Sequence, residues 1–199
     1  NPLQGDRKKR ADWAKDLSVK TYTEGMEALY FVGCYLSYDP RMKKVATATA
    51  KILKKAGVDF GILGSQENCC GESIRKTGSE EVFKKLAKEN IKTFIDNGVK
   101  KVIVSSPHCY HTFKNEYPEF MVNFEVVHMS QYILELINDG RLTLTKEFPQ
   151  KVTYHDPCYL GRHNNVYDDP RALLKKVAGL ELVEMEMSGK NSLCCGGGG

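Results

Sequence analysis

Apolar residues along this chain recur with two alternating periods. Short runs rich in β-branched and aromatic residues, "EALYFVGC" (27–34), "VDFGIL" (58–63), "KKVIVSS" (100–106) and "NFEVVH" (123–128), predict strands. Between them the apolar positions recur every three to four residues. Residues 41–57 predict a helix with Val45, Ala48, Ile52 and Ala56 on one face and Gly57 as its stop. Residues 79–98 predict a second, begun by Ser79 with Glu80 and Glu81 in its first turn and stopped by Gly98. In 129–140 a stripe of Met129, Tyr132, Ile133, Leu136 and Ile137 predicts a third. "KVTYHD" (151–156), "DPRALLKKVAG" (169–179) and "LELVEME" (180–186) then read as strand, helix and strand. Strands alternating with helices predict an α/β fold with a mainly parallel sheet flanked by helices.

The pattern also repeats. "FVGCYLSYDPRMKKVATATAKILKKAGVDFGILGSQENCCGES" and "TYHDPCYLGRHNNVYDDPRALLKKVAGLELVEMEMSGKNSLCCGGGG" share an ordered set of features. Each places a cysteine and Tyr-Leu after a strand, then an Asp-Pro predicted to open a helix, then Lys-Lys and glycine, a strand, and Cys-Cys-Gly. Between Cys34 and Cys69 lie 34 residues, and between Cys158 and Cys194 lie 35. This predicts an internal duplication. Residues 1–27 read as a leader helix or linker, 28–145 as the first repeat, and 146–199 as the start of a second, incomplete one. Cys109, in "PHCYHTF", completes the first repeat, with 38 residues between it and Cys70. The counterpart in the second repeat would fall beyond residue 199. The opening on Asn1 and the closing glycine run therefore read as a fragment, with Cys194–Gly199 expected to be mobile.

Composition narrows the chemistry. With 41% hydrophobic residues in 199, the chain can bury a sizeable core, and no apolar run approaches a membrane span. The net charge of +4 is slight, and no basic stretch interleaves with aromatics, so no nucleic-acid partner is expected. The cluster Arg7, Lys8, Lys9 and Arg10 reads as a solvated helix face rather than a docking patch. Seven cysteines, an odd number, make a poor disulfide framework, and adjacent cysteines do not readily bridge each other. A reducing compartment and metal ligation fit better.

In a parallel sheet, ligands gather at the carboxyl ends of strands, where Cys34, Cys69, Cys70, Cys109 and Cys158 are predicted to lie. Converging thiolates repel unless a cation compensates them. Zinc ribbons pair their ligands as C-x(2–4)-C. Directly adjacent ligands followed by glycine favour a multi-iron cluster, whose sulfides accept hydrogen bonds from nearby amides.

Cys34, then Cys69-Cys70-Gly71, then "SSPHC" resemble the cysteine-rich CCG domain, whose pattern ends in C-P-x-C. That domain occurs, commonly twice, in heterodisulfide reductase subunits of the B and D types and in iron–sulfur subunits of glycolate, lactate and glycerol-3-phosphate oxidation. The resemblance covers about residues 28–199. The leader "NPLQGDRKKRADWAKDL" is similar to the linker after a ferredoxin-like domain in the D type. The resemblance implies iron–sulfur ligation by Cys34, Cys69, Cys70, Cys109, Cys158, Cys194 and Cys195. A complete motif with five cysteines implies a noncubane [4Fe–4S] cluster. Here Ser106 stands where the first cysteine of C-P-x-C belongs, so the first site is expected to hold a cubane [4Fe–4S] cluster on four thiols. A noncubane cluster is reserved for the second site, if C-x-x-C follows.

The implied function is an electron-transferring oxidoreductase subunit in anaerobic metabolism. It would work between a flavin, quinone or haem partner (ferredoxin-like, flavoprotein or membrane cytochrome) and a redox substrate such as a disulfide. Its place would be the cytoplasm, at the inner membrane face where partners reach it. Two other readings stand beside it: a zinc-stapled or metal-free α/β interaction module, and a thiol–disulfide enzyme using the vicinal cysteines. Among other residues, His155 is the candidate catalytic group, a proton shuttle or else a strand-end histidine bonded to Asp156. His108 and His111 flank Cys109 as spare ligands or hydrogen-bond donors. Arg162 and His163 could bind an anion or merely form a polar loop. Tyr35 and Tyr159 are expected to pack beside the sites, and Trp13 to anchor the leader.

Overall fold

A computed structural model describes residues 5–197. The chain forms two compact units, the first running to Met129 and the second beginning at Ser130.

The first unit opens with two 3-10 turns, Arg7–Lys9 and Asp12–Leu17. Asp6 caps the first by accepting from Lys8 N at 3.0 Å. The second sets the buried Trp13 edge-on to Tyr30, ring centroids 6.0 Å apart, so the leader is anchored as expected. Then follow β1 (Lys20–Thr21), β2 (Ala28–Phe31), α1 (Cys34–Tyr38), α2 (Lys43–Lys55) and β3 (Phe60–Ile62). After them come α3 (Glu72–Lys76), α4 (Glu80–Asp96), β4 (Lys101–Val104), α5 (Pro107–His111) and β5 (Glu125–His128). The five strands form one sheet in the order β1-β3-β2-β4-β5, and every pairing is parallel.

That order decides where a site can be. From β2 the chain crosses to β3 on one side, and β4 lies on the other, so the winding reverses at the carboxyl end of β2. The loops leaving β2, β3 and β4 diverge there and open a crevice. Beneath it β2 and β4 are apolar throughout their buried stretch: Leu29, Tyr30, Phe31, Val102, Ile103 and Val104 are essentially inaccessible. Phe31 meets Phe113 edge-on at 4.7 Å, and Phe113 meets Tyr117 at 4.8 Å. These rings form a rigid floor that reaches the site through Tyr117.

The second unit takes in nearly all of α6 (Met129–Asn138), then β6 (Lys151–Val152), α7 (Asp168–Lys175) and β7 (Glu181–Leu182). Strands β6 and β7 pair in parallel, in a two-stranded sheet. On α6, Tyr132, Ile133 and Leu136 are buried, as their spacing predicts.

Several local readings are corrected. The helices of the first unit fall where the periodicity places them, but α2 buries Ala46, Thr49, Ala50 and Leu53 rather than the predicted face, on which Val45 and Ile52 are half-buried and Ala48 is exposed. Ser79 makes no side-chain cap bond. Asp39 does accept from Arg41 N at 2.8 Å and Met42 N at 3.2 Å ahead of α2. Asp169, its counterpart, accepts instead from Gln131 Nε2 at 2.8 Å and caps nothing. The strands predicted over 151–156 and 180–186 shrink to two residues each, because only those residues find a partner. Cys194–Gly197, part of the stretch expected to be mobile, is an exposed loop, and Gly198 and Gly199 lie outside the described residues.

Candidate metal centre

Three loops bring four thiols to the crevice. Cys34 is the first residue of α1 and follows Gly33 directly after β2 and Val32. Cys69 and Cys70 end the loop after β3, and Gly71 then starts α3. Cys109 lies in α5, whose first turn is entered through Ser106 and Pro107. All four line one cleft of about 40 Å³, together with Ser106, His108 and Glu72. It adjoins a wider pocket of about 540 Å³ bounded by Tyr35, Tyr38, Cys34 and Cys69.

The sulfurs form a chain, Cys34 to Cys69 to Cys70 to Cys109, with the last pair 3.4 Å apart. Hydrogen bonding to Cys69 and burial both push the Cys34 thiol up, and Arg10 opposes them. Cys69 is relieved by Cys34, but Cys70 and burial outweigh this and push it up to about 12. Cys70 rises far above the ordinary thiol range through Cys109 and then burial. Such a set does not ionise by itself; it needs a cation, which is what iron or zinc would supply. Among the described residues, no three His, Cys, Asp or Glu side chains are arranged to hold a single metal ion. Four converging thiols, two of them adjacent in the chain, are a donor set that suits an iron–sulfur cluster or one tetrahedral zinc.

The loop carrying the vicinal pair is held from below. Asn90, on α4 and fully buried, donates to the Cys69 carbonyl at 2.9 Å and to the Tyr117 hydroxyl at 3.0 Å. Its Oδ1 accepts from Asn68 N at 3.4 Å. Tyr117 donates its own hydroxyl proton to the Cys70 carbonyl at 3.1 Å. Gly71 takes φ +92°, and its N–H points at the Cys69 sulfur at 3.4 Å. In the second unit Gly196 has φ +75°, and its N–H points at Cys194 Sγ, also at 3.4 Å. The duplication seen in the sequence thus extends to a shared amide-to-sulfur contact.

Two charged residues of the site escaped the sequence reading. Arg10 is only 2% exposed and Glu67 1%, so the expectation of a fully solvated basic cluster is corrected at Arg10. Its Nε donates to Glu67 Oε1 at 2.8 Å. Burial works against the guanidinium, but Glu67 and Cys34 outweigh it and hold it charged. Once Glu67 is known to be buried, its carboxylate needs a buried cation nearby, but nothing in the sequence shows that burial.

The remaining candidates separate. His108 Nδ1 lies 3.2 Å from Glu72 Oε2 at the cleft, while His111 turns to Asn115, whose Nδ2 is 3.1 Å from its Nδ1. Tyr35 does not pack: it is 69% exposed beside Cys34. Tyr159 is buried and stacks on His163 at 5.1 Å. His155 Nε2 is 2.8 Å from the Leu193 carbonyl, and Arg162 donates to the Ser192 carbonyl at 2.8 Å. Both therefore tether the loop leading to Cys194. Asp156 pairs with Arg171 at 2.6 Å, which holds its carboxyl below the usual range. Cys158 is half-buried, and Cys194 and Cys195 are exposed.

The family model described as the cysteine-rich domain (CCG) matches residues 28–114 and 152–199. A probable iron-sulfur-binding oxidoreductase, FadF, of Bacillus subtilis is 43% identical over the whole of this chain and 30% of its own length. The EtfAB:quinone oxidoreductase of Syntrophomonas wolfei is 42% identical over 96% of this chain and 28% of its own. In Methanosarcina mazei, the D-type component of the dihydromethanophenazine:CoB–CoM heterodisulfide reductase is 35% identical over the whole chain and 49% of its own. The chain thus spans between about a third and a half of these relatives. No solved structure matches it.

Proposed function

We propose, since this chain belongs to the cysteine-rich domain (CCG) family, that it is the electron-carrying part of an iron–sulfur oxidoreductase. Cys34, Cys69, Cys70 and Cys109 would hold a cubane [4Fe–4S] cluster. The observation that carries the reading is the meeting of four thiols from three strand ends in one cleft at the reversal of the sheet. Bound there, the cluster would supply one-electron transfer.

The chain's own residues do the rest. The four thiols supply the ligands, and their mutual repulsion makes the set bind a cation strongly. The Gly71 amide points at Cys69 from outside the set. The Phe31–Phe113–Tyr117 floor keeps water from below. Tyr35 stands exposed beside Cys34, where a partner would reach the site. Ser106 lines the cleft in the place of a fifth thiol, which supports the cubane over the noncubane form here.

In the second repeat Cys158, Cys194 and Cys195 would be completed by a C-x-x-C beyond residue 199. A noncubane cluster there would be the seat of substrate chemistry, with His155 its candidate proton carrier. The names of the relatives support a quinone as partner and a disulfide as redox substrate; a flavoprotein or haem partner belongs to the same proposal on the family resemblance alone. Association with a membrane through those partners, at the cytoplasmic face, belongs to the same proposal. Among the described residues no helix is long and apolar enough to cross a membrane.

The test is spectroscopic. Chain purified without oxygen should be brown, bleach on addition of dithionite, and give the electron paramagnetic resonance signal of a reduced cluster. A colourless protein that gives no signal after reconstitution with iron and sulfide would leave only the interaction-module and thiol–disulfide readings.

A further inference from the structure

Arg10 reaches the first site from a part of the chain that the family model does not match. Its Nη1 and Nη2 lie 3.7 and 3.6 Å from Cys34 Sγ, and Nη2 also donates to the Asn68 carbonyl at 3.2 Å. Glu67 grips Nε, and the same carboxylate accepts from Val32 N at 3.0 Å and Gly33 N at 2.9 Å. One ion pair therefore touches both the loop before Cys34 and the loop before Cys69. Only a planar fork can make these contacts together; a lysine would reach one of them.

Stability alone is a weak reason for such a pair, because desolvating two charges offsets most of their attraction. The second repeat ties the corresponding loops by an uncharged bond, and its cation, Arg171, pairs with Asp156 and Glu184 instead. There Ser192 occupies the place of Glu67, and its hydroxyl donates to the Asp156 carbonyl at 2.9 Å. What marks the first site is that its buried cation is aimed at a sulfur.

We infer that Arg10, locked by Glu67, is a positioning residue that raises the reduction potential of the first site by donating hydrogen bonds to the Cys34 sulfur. The inference rests on the cluster reading above. A cluster gains negative charge on reduction, and a cationic donor at one of its thiolates favours that state. The leader then does more than link: the way it docks sets how readily the site accepts an electron.

The experiment compares the parent chain with R10Q, E67Q and the double variant R10Q/E67Q, all purified without oxygen. Iron and sulfide are counted first, and midpoint potentials are then titrated by electron paramagnetic resonance. R10Q should lower the reduced-to-oxidised ratio at the parental midpoint about tenfold, a fall of roughly 59 mV for one electron. E67Q should move the potential the other way, because the guanidinium loses its counter-charge but stays at Cys34. The double variant leaves no buried charge unpaired. It should fall below the parent, and it decides the matter if R10Q alone loads poorly. Loosening of the leader would move both single variants in one direction, so opposite shifts identify an electrostatic role. Single variants that carry full iron at the parental potential, or that shift in the same direction as each other, overturn the inference. A parent chain without iron overturns the cluster reading instead, and this inference falls with it.

Discussion

Replacing Asn90 with leucine should cost the first unit about 3 to 5 kcal/mol and lower iron loading at the proposed metal site. Asn90 is fully buried and satisfies three groups at once: the Cys69 carbonyl, the Asn68 amide and the Tyr117 hydroxyl. Leucine fills a similar volume but pairs with none of them. Each buried polar group left unsatisfied costs about 1 to 3 kcal/mol, and the Tyr117 hydroxyl still keeps its bond to Cys70. Against a total stability of about 5 to 15 kcal/mol the loss is large. Thermal unfolding should shift down by roughly 10 °C or more, and iron per chain should fall below half of the parent's. The loop is the element affected, since Asn90 holds it through main-chain groups on both sides of Cys69. A leucine variant with parental melting temperature and iron would show that the loop holds its shape unaided.

The second large effect is at Gly71. Alanine there meets two obstacles. The backbone sits at φ +92°, a region that costs a residue with a Cβ about 1 to 3 kcal/mol. The new Cβ would also lie 2.7 Å from Phe83 Cδ2. Phe83 has little freedom to yield, being wholly buried with Arg75 over its ring at 4.6 Å. Relieving such overpacking costs about 1 to 3 kcal/mol more. Gly196 provides the control. Its φ is +75°, but a Cβ there meets nothing within 4 Å. Gly71→Ala should therefore lower stability by about 2 to 6 kcal/mol and displace the N–H that points at Cys69, whereas Gly196→Ala should lose only the strain. Denaturant unfolding of the two variants checks this. Equal losses would show that the Phe83 contact is immaterial.

Much of this was legible along the chain because the signals are local. Strands β2 to β5 and helices α2, α4 and α6 announce themselves by period. The order of Cys34, Cys69, Cys70 and Cys109 after strands implies convergence once the sheet is taken as parallel. The short helices α1, α3 and α5 escaped because five residues carry no period to read. Strand β1 escaped because two residues suffice for it, paired at Lys20–Gly61 and Thr21–Ile62. The supports of the site were hidden for a different reason. Arg10 reaches across 57 residues to Glu67, and Asn90 across 21 to Cys69. Such pairs leave no mark in local pattern, and a lysine–arginine run looks the same whether one member is buried or none. Asp39 and Asp169 show the converse: equal motifs in the two repeats do different work because only one faces free amides.

The central claim is that the four thiols of the first unit hold an iron–sulfur cluster, and metal counting tests it most directly. Iron, acid-labile sulfide and zinc should be measured per chain after purification without oxygen, beside a variant in which Cys109 is replaced by serine. The account predicts about four iron and four sulfide in the parent, little zinc, and a marked loss of iron in the variant. One zinc per chain with no iron or sulfide would contradict it and make the site a structural staple.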